Sequence, residues 1–455
     1  MRTLFFGLGG ILFAAVLISG SNGQTPSPPP NKLPAFLPAE DIKAPPSVQP
    51  VNGTTTPVVP TTAPPAPKPR VSVPFDRFRN LDSVPNATRP LVITALTGME
   101  WLHRYHQPNG LFLYGYLPGV GQPLEGDHIL HQTLATFTLA RAARFSGDDR
   151  YAVRANQAVL TLLSGTSVDP SAPGIRRSSQ PAAVCNRLAA AGCLLMAIHE
   201  LPEPSPELVQ KGEELASFIR QMQREDGALA DPDSGEAALQ REDTVRGPGL
   251  ALYGLALSQR MKPADWKKEV LRKSLTNYRR AFKRQPTPET IPWMTAACTE
   301  AYGIEKENQF VEFAFEMNDF LCGLQYAESP DPRKPHWRGG FKQVVQGKVE
   351  AAVPGLEAAL YAQSLADCCR LVRQMPTPDV PRFERYRLTV LRSLQFLTSL
   401  QFTDANTMHI AANYRLYLVG GFHPTPTDGN VRIDQGAAGV SAFVQFLTAG
   451  LDRTQ

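Results

Sequence analysis

Phe320-Leu321-Cys322-Gly323-Leu324-Gln325, followed one loop later by Gly339-Gly340-Phe341, decides the fold because the chain repeats it. The shared unit is an aromatic residue, Leu or Ile, three further residues, then Gln or His. It returns as Trp101-Leu102 before His106, Phe218-Ile219 before Gln223 and Phe396-Leu397 before Gln401, each time ending a helical stretch. Behind each copy stands Gly with an apolar or aromatic partner: Gly110-Leu111-Phe112, Gly227-Ala228-Leu229 and Gly420-Gly421-Phe422. Recurrence at intervals of tens of residues marks stacked helical hairpins, none of which can bury its apolar face without its neighbours.

Outward from these copies, two degraded hairpins bring the expected number to six. First helices are predicted over residues 90–106, 149–164, 206–223, 264–284, 307–325 and 382–401. They mix charge with apolar residues at helical spacing, as in Leu208, Leu215, Phe218, Ile219 and Met222, the period of a helix with one wet face. Second helices are predicted over 128–145, 181–199, 247–260, 291–303, 355–373 and 432–450. Runs such as Ala189-Ala190-Ala191-Gly192-Cys193-Leu194-Leu195-Met196 are small and apolar nearly all round, which implies a buried inner ring with close backbone approach.

Linker lengths give the ring a polarity. Second helices pass to the next first helix through short corners such as Ser146-Gly147-Asp148, whereas first helices pass to second ones mostly through long loops, near 107–127, 165–180, 224–245, 326–354 and 402–431. Long loops gathered on one side of a rigid scaffold are where binding residues concentrate. That face also presents the N-termini of the inner helices, whose partial positive charge favours anions.

Three domains are expected: 1–23, 24–89 and 90–452. Met1-Arg2-Thr3, the apolar run Leu4 to Ile18 and Ser19-Gly20-Ser21-Asn22-Gly23 read as a secretory signal peptide, since the run falls short of the ~20 apolar residues of a membrane span. An uncleaved N-terminal anchor is the second reading. Residues 24–89 form a Pro-rich disordered segment, as in Pro57-Val58-Val59-Pro60, which spaces the folded part from a membrane or wall. The expected location is therefore exported: periplasmic, secreted or envelope-anchored. A net charge of +4 over 455 residues indicates neither nucleic acid nor an anionic membrane as partner. The six Cys, at 185, 193, 298, 322, 368 and 369, read as small buried apolar residues.

With these features the stretch from 90 to 452 resembles the (α/α)6 toroid superfamily. Asp148-Asp149-Arg150-Tyr151 after Phe145-Ser146-Gly147, and Gly420-Gly421-Phe422 running on to Val431-Arg432-Ile433-Asp434, look like poorly characterised bacterial members of that class. The resemblance implies an all-α fold of six helical hairpins. It also implies a range of activities: six-hairpin glycosidases, unsaturated-uronate hydrolases, sugar epimerases, polysaccharide lyases and, through a related repeat, terpenoid cyclases and prenyltransferases. Related sequences often open the first inner helix with Arg-His and place a His after Arg-Ile-Asp in the last. Here Leu130-His131 and Gly436-Ala437-Ala438 stand in those places, which keeps a non-catalytic glycan-binding toroid in view.

The fold alone does not select among these chemistries. The Asp-rich motif of terpenoid cyclases is absent from the sequence, and Asp367-Cys368-Cys369 matches a prenyltransferase zinc pattern only superficially, at the wrong end of an inner helix. Asp127-His128-x-x-His131 places two His on one helical face, but without a further ligand it reads as a cap with an imidazole at the ring centre, so no metal and no cofactor are expected. Glycoside cleavage needs a protonated and an ionised carboxyl across a sugar. Asp127, Asp243, Glu357 and Asp434 all fall at N-termini of inner helices and form the acid and base candidates, with His131 assisting. Acids at those positions also suit the helix dipole for purely structural reasons. For binding a glycan, including an acidic one, the candidates are Tyr116, Trp293, Trp337 and Tyr414 as stacking surfaces and Arg246, Arg338 and Arg432 as carboxylate partners.

Overall fold

The computed structural model describes residues 72–453, apart from 183, 234–241 and the side chains of 242–244. The expected signal peptide and residues 24–71 of the expected Pro-rich segment lie outside the described residues. Among those described, six helices form an inner ring: α2 Ile129–Ser146, α4 Arg187–Glu200, α6 Glu242–Met261, α8 Ile291–Glu305, α10 Glu357–Gln374 and α13 Ile433–Thr448. Each touches its neighbours in that order, and α13 returns to α2, so the ring is closed. Six more surround it: α1 Arg89–Tyr105, α3 Asp149–Ser164, α5 Pro206–Gln221, α7 Asp265–Arg284, α9 Asn308–Leu324 and α11 Val380–Ser399. The protein is an all-α (α/α)6 toroid.

Composition explains which helices lie inside. α4 is buried without interruption from Arg187 to His199, and Gly192 lets its backbone meet that of α6, where an added Cβ would come within 2.5 Å of Ala251 N. Each outer helix packs chiefly on the inner helix before it in the chain, with α1 on α13, because the short corners hold those pairs together. The first corner shows the chemistry: Gly147 caps α2 at φ 66°, and the Asp148 carboxylate accepts from Arg150 N to start α3.

The sequence repeat is the fastener between successive outer helices. Gln325 Nε2 donates to Thr389 O (2.9 Å) and Ser393 Oγ (3.0 Å) on α11, and to Gly339 O (3.2 Å). Gln223 reaches Val270 O and Ser274 Oγ on α7, while Gln401 reaches Thr94 O on α1 and so closes the outer ring. His106, in the Gln position of the first copy, meets the Arg154 guanidinium of α3 instead. Each copy forms a β-bridge to its apolar partner: His106 with Phe112, Gln223 with Leu229, Gln325 with Phe341 and Gln401 with Phe422. Across the steps that lack the motif, ion pairs take over, Arg176–Glu214 to α5 and Arg279–Glu316 between α7 and α9.

The long loops gather at the N-terminal ends of the inner helices and carry the seven short strands found among the described residues. β1 Gly115–Leu117 pairs with β2 Gln122–Pro123 and, on its other edge, with β7 Val431–Arg432. β3 Thr166–Val168 with β4 Arg176–Ser178, and β5 Gln343–Val345 with β6 Lys348–Glu350, are hairpins. The loop expected at 402–431 also holds a short helix, α12 Ala412–Leu418. Three expected boundaries move. α4 begins at Arg187 and not near 181. α6 begins at Glu242 and runs through Pro248 in its second turn, where the proline ring forfeits one i→i−4 hydrogen bond. Residues 72–89, expected within the disordered segment, are folded: Phe75 and Phe78 pack on Phe145 at 5.8 and 6.2 Å, and Arg77 pairs with Asp452 at 2.7 Å. Two aromatic residues in a Pro-rich neighbourhood are enough to dock that stretch. All six Cys are free thiols, buried except for half-buried Cys322.

Candidate functional site

The inner helices leave a cavity of about 410 Å³ at the loop-bearing end of the ring axis. Its walls come from the first turns of α2, α6, α8, α10 and α13, which deliver His128, His131, Arg246, Trp293, Glu357 and Asp434, joined by Arg432 and by Pro424-Thr425 of the last loop. That volume lies in the range of about 300–1,000 Å³ usual for small-molecule sites.

Two carboxyls there sit in opposite environments. The Glu357 carboxyl, in the first turn of α10, accepts from Gly355 N at 2.8 Å and lies close enough to Gly355 that a Cβ there would stand 2.7 Å from its Oε2. Burial pushes its pKa up, and this outweighs the opposing pull of the backbone N–H groups and of Arg246. Asp434, in the first turn of α13, is clasped by the guanidinium of Arg432, Nε to Oδ1 at 2.6 Å and Nη2 to Oδ2 at 3.0 Å. Such a fork is bidentate and fixes the carboxylate against the guanidinium plane.

Histidines complete this side of the cavity. His131 Nε2 is 3.6 Å from Asp434 Oδ2, and its Nδ1 shares a 3.0 Å hydrogen bond with Tyr114 OH. The hydroxyl can donate to Nδ1, which leaves Nε2 as the N–H facing Asp434, or it can accept. The His128 ring lies 4.4 Å from that of His131 and its Nδ1 has no hydrogen-bond partner among the described residues. Among those residues no group of three or more His, Cys, Asp or Glu converges as a metal site would require.

Trp293 floors the cavity, its ring 6.2 Å from Tyr253 and 6.3 Å from Phe137. Beneath it is a small chamber of about 10 Å³, walled by Tyr253, Trp293 and Leu360 together with Arg141, Gln363, Asp367 and Gln445. Arg141 donates to Ser441 Oγ and Gln445 Oε1, both at 2.9 Å, and Arg370 bridges Asp367 and Glu300 at 3.1 and 2.7 Å. These buried groups are partnered with one another and close the far end of the ring. Asp367-Cys368-Cys369 belongs to this closed end.

The expected site residues divide accordingly. Brought together around the cavity are His131, Glu357, Asp434, Arg246, Trp293 and Arg432. Asp127 is exposed and turned away: its Oδ1 accepts from His128 N at 2.8 Å and Gln132 Nε2 at 3.0 Å, so it fastens the start of α2. Tyr116 is buried under α12, stacked on Tyr417 at 4.7 Å, with its pKa pushed up to about 12 by burial. Trp337 is buried against Tyr326 at 5.9 Å, and Arg338 beside it is exposed; neither lines the cavity. The loop sequence concealed the burial of Trp337 because its cover, Tyr326 and Lys334, comes from within the same loop. Tyr414 stands on α12 outside the cavity. Asp243 falls in the first turn of α6, with its side chain outside the described residues. His128 and Gln435 line the cavity without having been expected there; only the i to i+3 spacing of His128 with His131 pointed to it.

No protein-family model matches this chain, and no curated protein matches it in sequence. Solved structures do resemble it. An unsaturated glucuronyl hydrolase specific for heparin aligns at 13% identity over 79% of this chain and 97% of that one, with a TM-score of 0.55. A D-mannose isomerase aligns at 11% identity, 80% and 99% coverage and TM-score 0.54. The α-1,6-mannanase of a Salegentibacter species aligns at 12% identity, 79% and 99% coverage and TM-score 0.52. At such identities the likeness establishes the class, the (α/α)6 toroid, over nearly the whole length of each neighbour.

Proposed function

We propose that this toroid binds a glycan in its mouth and acts on it by acid–base chemistry, as a glycoside hydrolase or a sugar epimerase. The observation that carries the reading is the pairing, in one cavity, of the Glu357 carboxyl raised by burial with the Asp434 carboxylate clasped by Arg432. Acid–base cleavage uses one carboxyl to donate a proton to a leaving oxygen and a second to remove a proton or stabilise a developing cation. Arg246, Arg432 and the N-termini of the inner helices give the cavity a positive cast that suits an acidic sugar, and Trp293 offers a ring face as floor. The structural neighbours act on glucuronyl, mannan and mannose substrates, which favours the carbohydrate reading over a terpenoid cyclase. Hydrolysis requires carboxyl separations of about 5–5.5 Å for retention or about 6.5–9.5 Å for inversion, and epimerisation requires neither.

The test is incubation of the protein with uronate-containing oligosaccharides, mannans and free hexoses, with products followed by chromatography and anomeric NMR. Turnover abolished in Glu357→Gln and Asp434→Asn is expected. Binding that persists in both variants without any product from the wild type establishes the non-catalytic glycan-binding reading instead. The protein is further proposed to be exported, with the Pro-rich segment holding the toroid away from an envelope surface; recovery of the full chain in the cytoplasmic fraction would refute this.

A further inference from the structure

The rim of the mouth carries an aromatic surface outside the cavity. α12 is seven residues long, too short to persist alone, and is fixed from below. Tyr417 stacks flat on Tyr116, and its carbonyl accepts from Trp101 Nε1 at 3.1 Å and from Tyr105 OH at 2.7 Å. Arg104 Nη2 donates to Val419 O at 2.5 Å. This rigid mount presents Tyr414 over the β1–β2 turn. Gly121 there has φ +67°, and a Cβ on it would lie 3.5–3.8 Å from three carbons of the Tyr414 ring. The hydroxyl end of the ring thus lies near Gly121 with no side chain between them, and the residue stays 36% exposed.

Strand β1 links the platform to the cavity wall. β1 carries both: Gly115 pairs with Arg432, which lines the cavity, and Leu117 two residues on begins the turn beneath Tyr414. Two strand residues span roughly 7 Å. Tyr417 on the same helix is half-buried in its stack on Tyr116, whereas Tyr414 is exposed, and four anchors hold the helix that carries both.

We propose that Tyr414 forms a second sugar subsite on the rim, stacking on a pyranose of the same glycan chain whose end occupies the cavity. It follows that the substrate is an oligosaccharide or polysaccharide and not a free monosaccharide. This rests on the glycan reading of the cavity. The apolar CH face of a pyranose fits an open phenol ring, and a contact of that kind is worth roughly three- to tenfold in affinity.

The experiment measures kcat/KM and Kd against size-graded uronate-terminated and mannan oligosaccharides, from disaccharide to hexasaccharide, for the full chain, Tyr414→Ala and Tyr414→Trp. The expected result is wild-type affinity that rises with length, a roughly three- to tenfold loss in Tyr414→Ala confined to the longer members, and retention in Tyr414→Trp. Equal loss at every length, or no loss at any, overturns the rim subsite while the disaccharide data still report on the cavity. Neither binding nor turnover of any member by the wild type overturns the cavity reading and the subsite with it.

Discussion

Gly339→Ala tests whether the repeat glycine is where hairpins lock together. Gly339 has φ +91°, and a Cβ built on it would lie closer than 3.0 Å to the carbonyl of Arg392 on α11. The obstacle is helix backbone, which cannot rotate aside like a side chain. Backbone strain for an L-residue at such φ costs about 1–3 kcal/mol. Forcing two packed segments apart adds about 1–3 kcal/mol more, for a total of about 2–6 kcal/mol by these two terms. Gly347, in the β5–β6 turn, supplies the control: φ is +77° but nothing lies within 4 Å of an added Cβ, so only the strain term applies, and an exposed hairpin can relieve even that locally. Urea unfolding of both variants reads the difference as a shift in midpoint at constant slope. Gly339→Ala should unfold at clearly lower urea than Gly347→Ala. Equal midpoints would refute the claim that this glycine permits the contact between the 326–342 loop and α11.

Other outcomes follow from single side chains. Gln325→Ala removes a buried donor to three acceptors and should cost about 1–3 kcal/mol for the groups left unsatisfied, read by thermal unfolding; a loss under a few tenths would deny the fastener role. Glu357→Gln should stabilise the protein at neutral pH. A folded-state pKa above the ordinary 4.5 makes ionisation costly in the native state, so wild-type stability is whole below 4.5 and declines as pH rises through the folded value. Calorimetry across that window should show the variant gaining on the wild type as pH rises, and parallel curves would contradict the burial argument. Arg432→Ala should weaken binding of uronate oligosaccharides more than of neutral mannan fragments in titration calorimetry, and an equal loss for both would place the acidic-sugar preference elsewhere.

The ring was legible because its causes are local and repeated. Small residues all round α4 and α6, and the aromatic-to-Gln unit closing three of the outer helices, each forecast a contact found in the fold. The site was only partly legible. Helix register placed Glu357, Asp434 and His131 at inner N-termini, and register together with ring closure points them at one axis. Asp127 has the same register, yet its carboxylate is taken by His128 N and Gln132, a competition that spacing does not reveal. Trp337 and Tyr116 were hidden by loop tertiary structure: Tyr326 covers one and α12 the other, and neither cover is periodic. The docking of Phe75 and Phe78 on Phe145 escaped for a similar reason, since it depends on a contact distant in sequence.

The central claim is that the mouth cavity performs acid–base chemistry on a sugar with Glu357 and Asp434. Its most direct test is time-resolved NMR of the wild type, Glu357→Gln and Asp434→Asn with uronate-terminated and mannan oligosaccharides. A new anomeric or epimeric signal is expected with the wild type and none with either variant, while both variants still unfold cooperatively on heating. Product formed at wild-type rates by Glu357→Gln, or by no protein at all while every variant still binds the oligosaccharide, would contradict it.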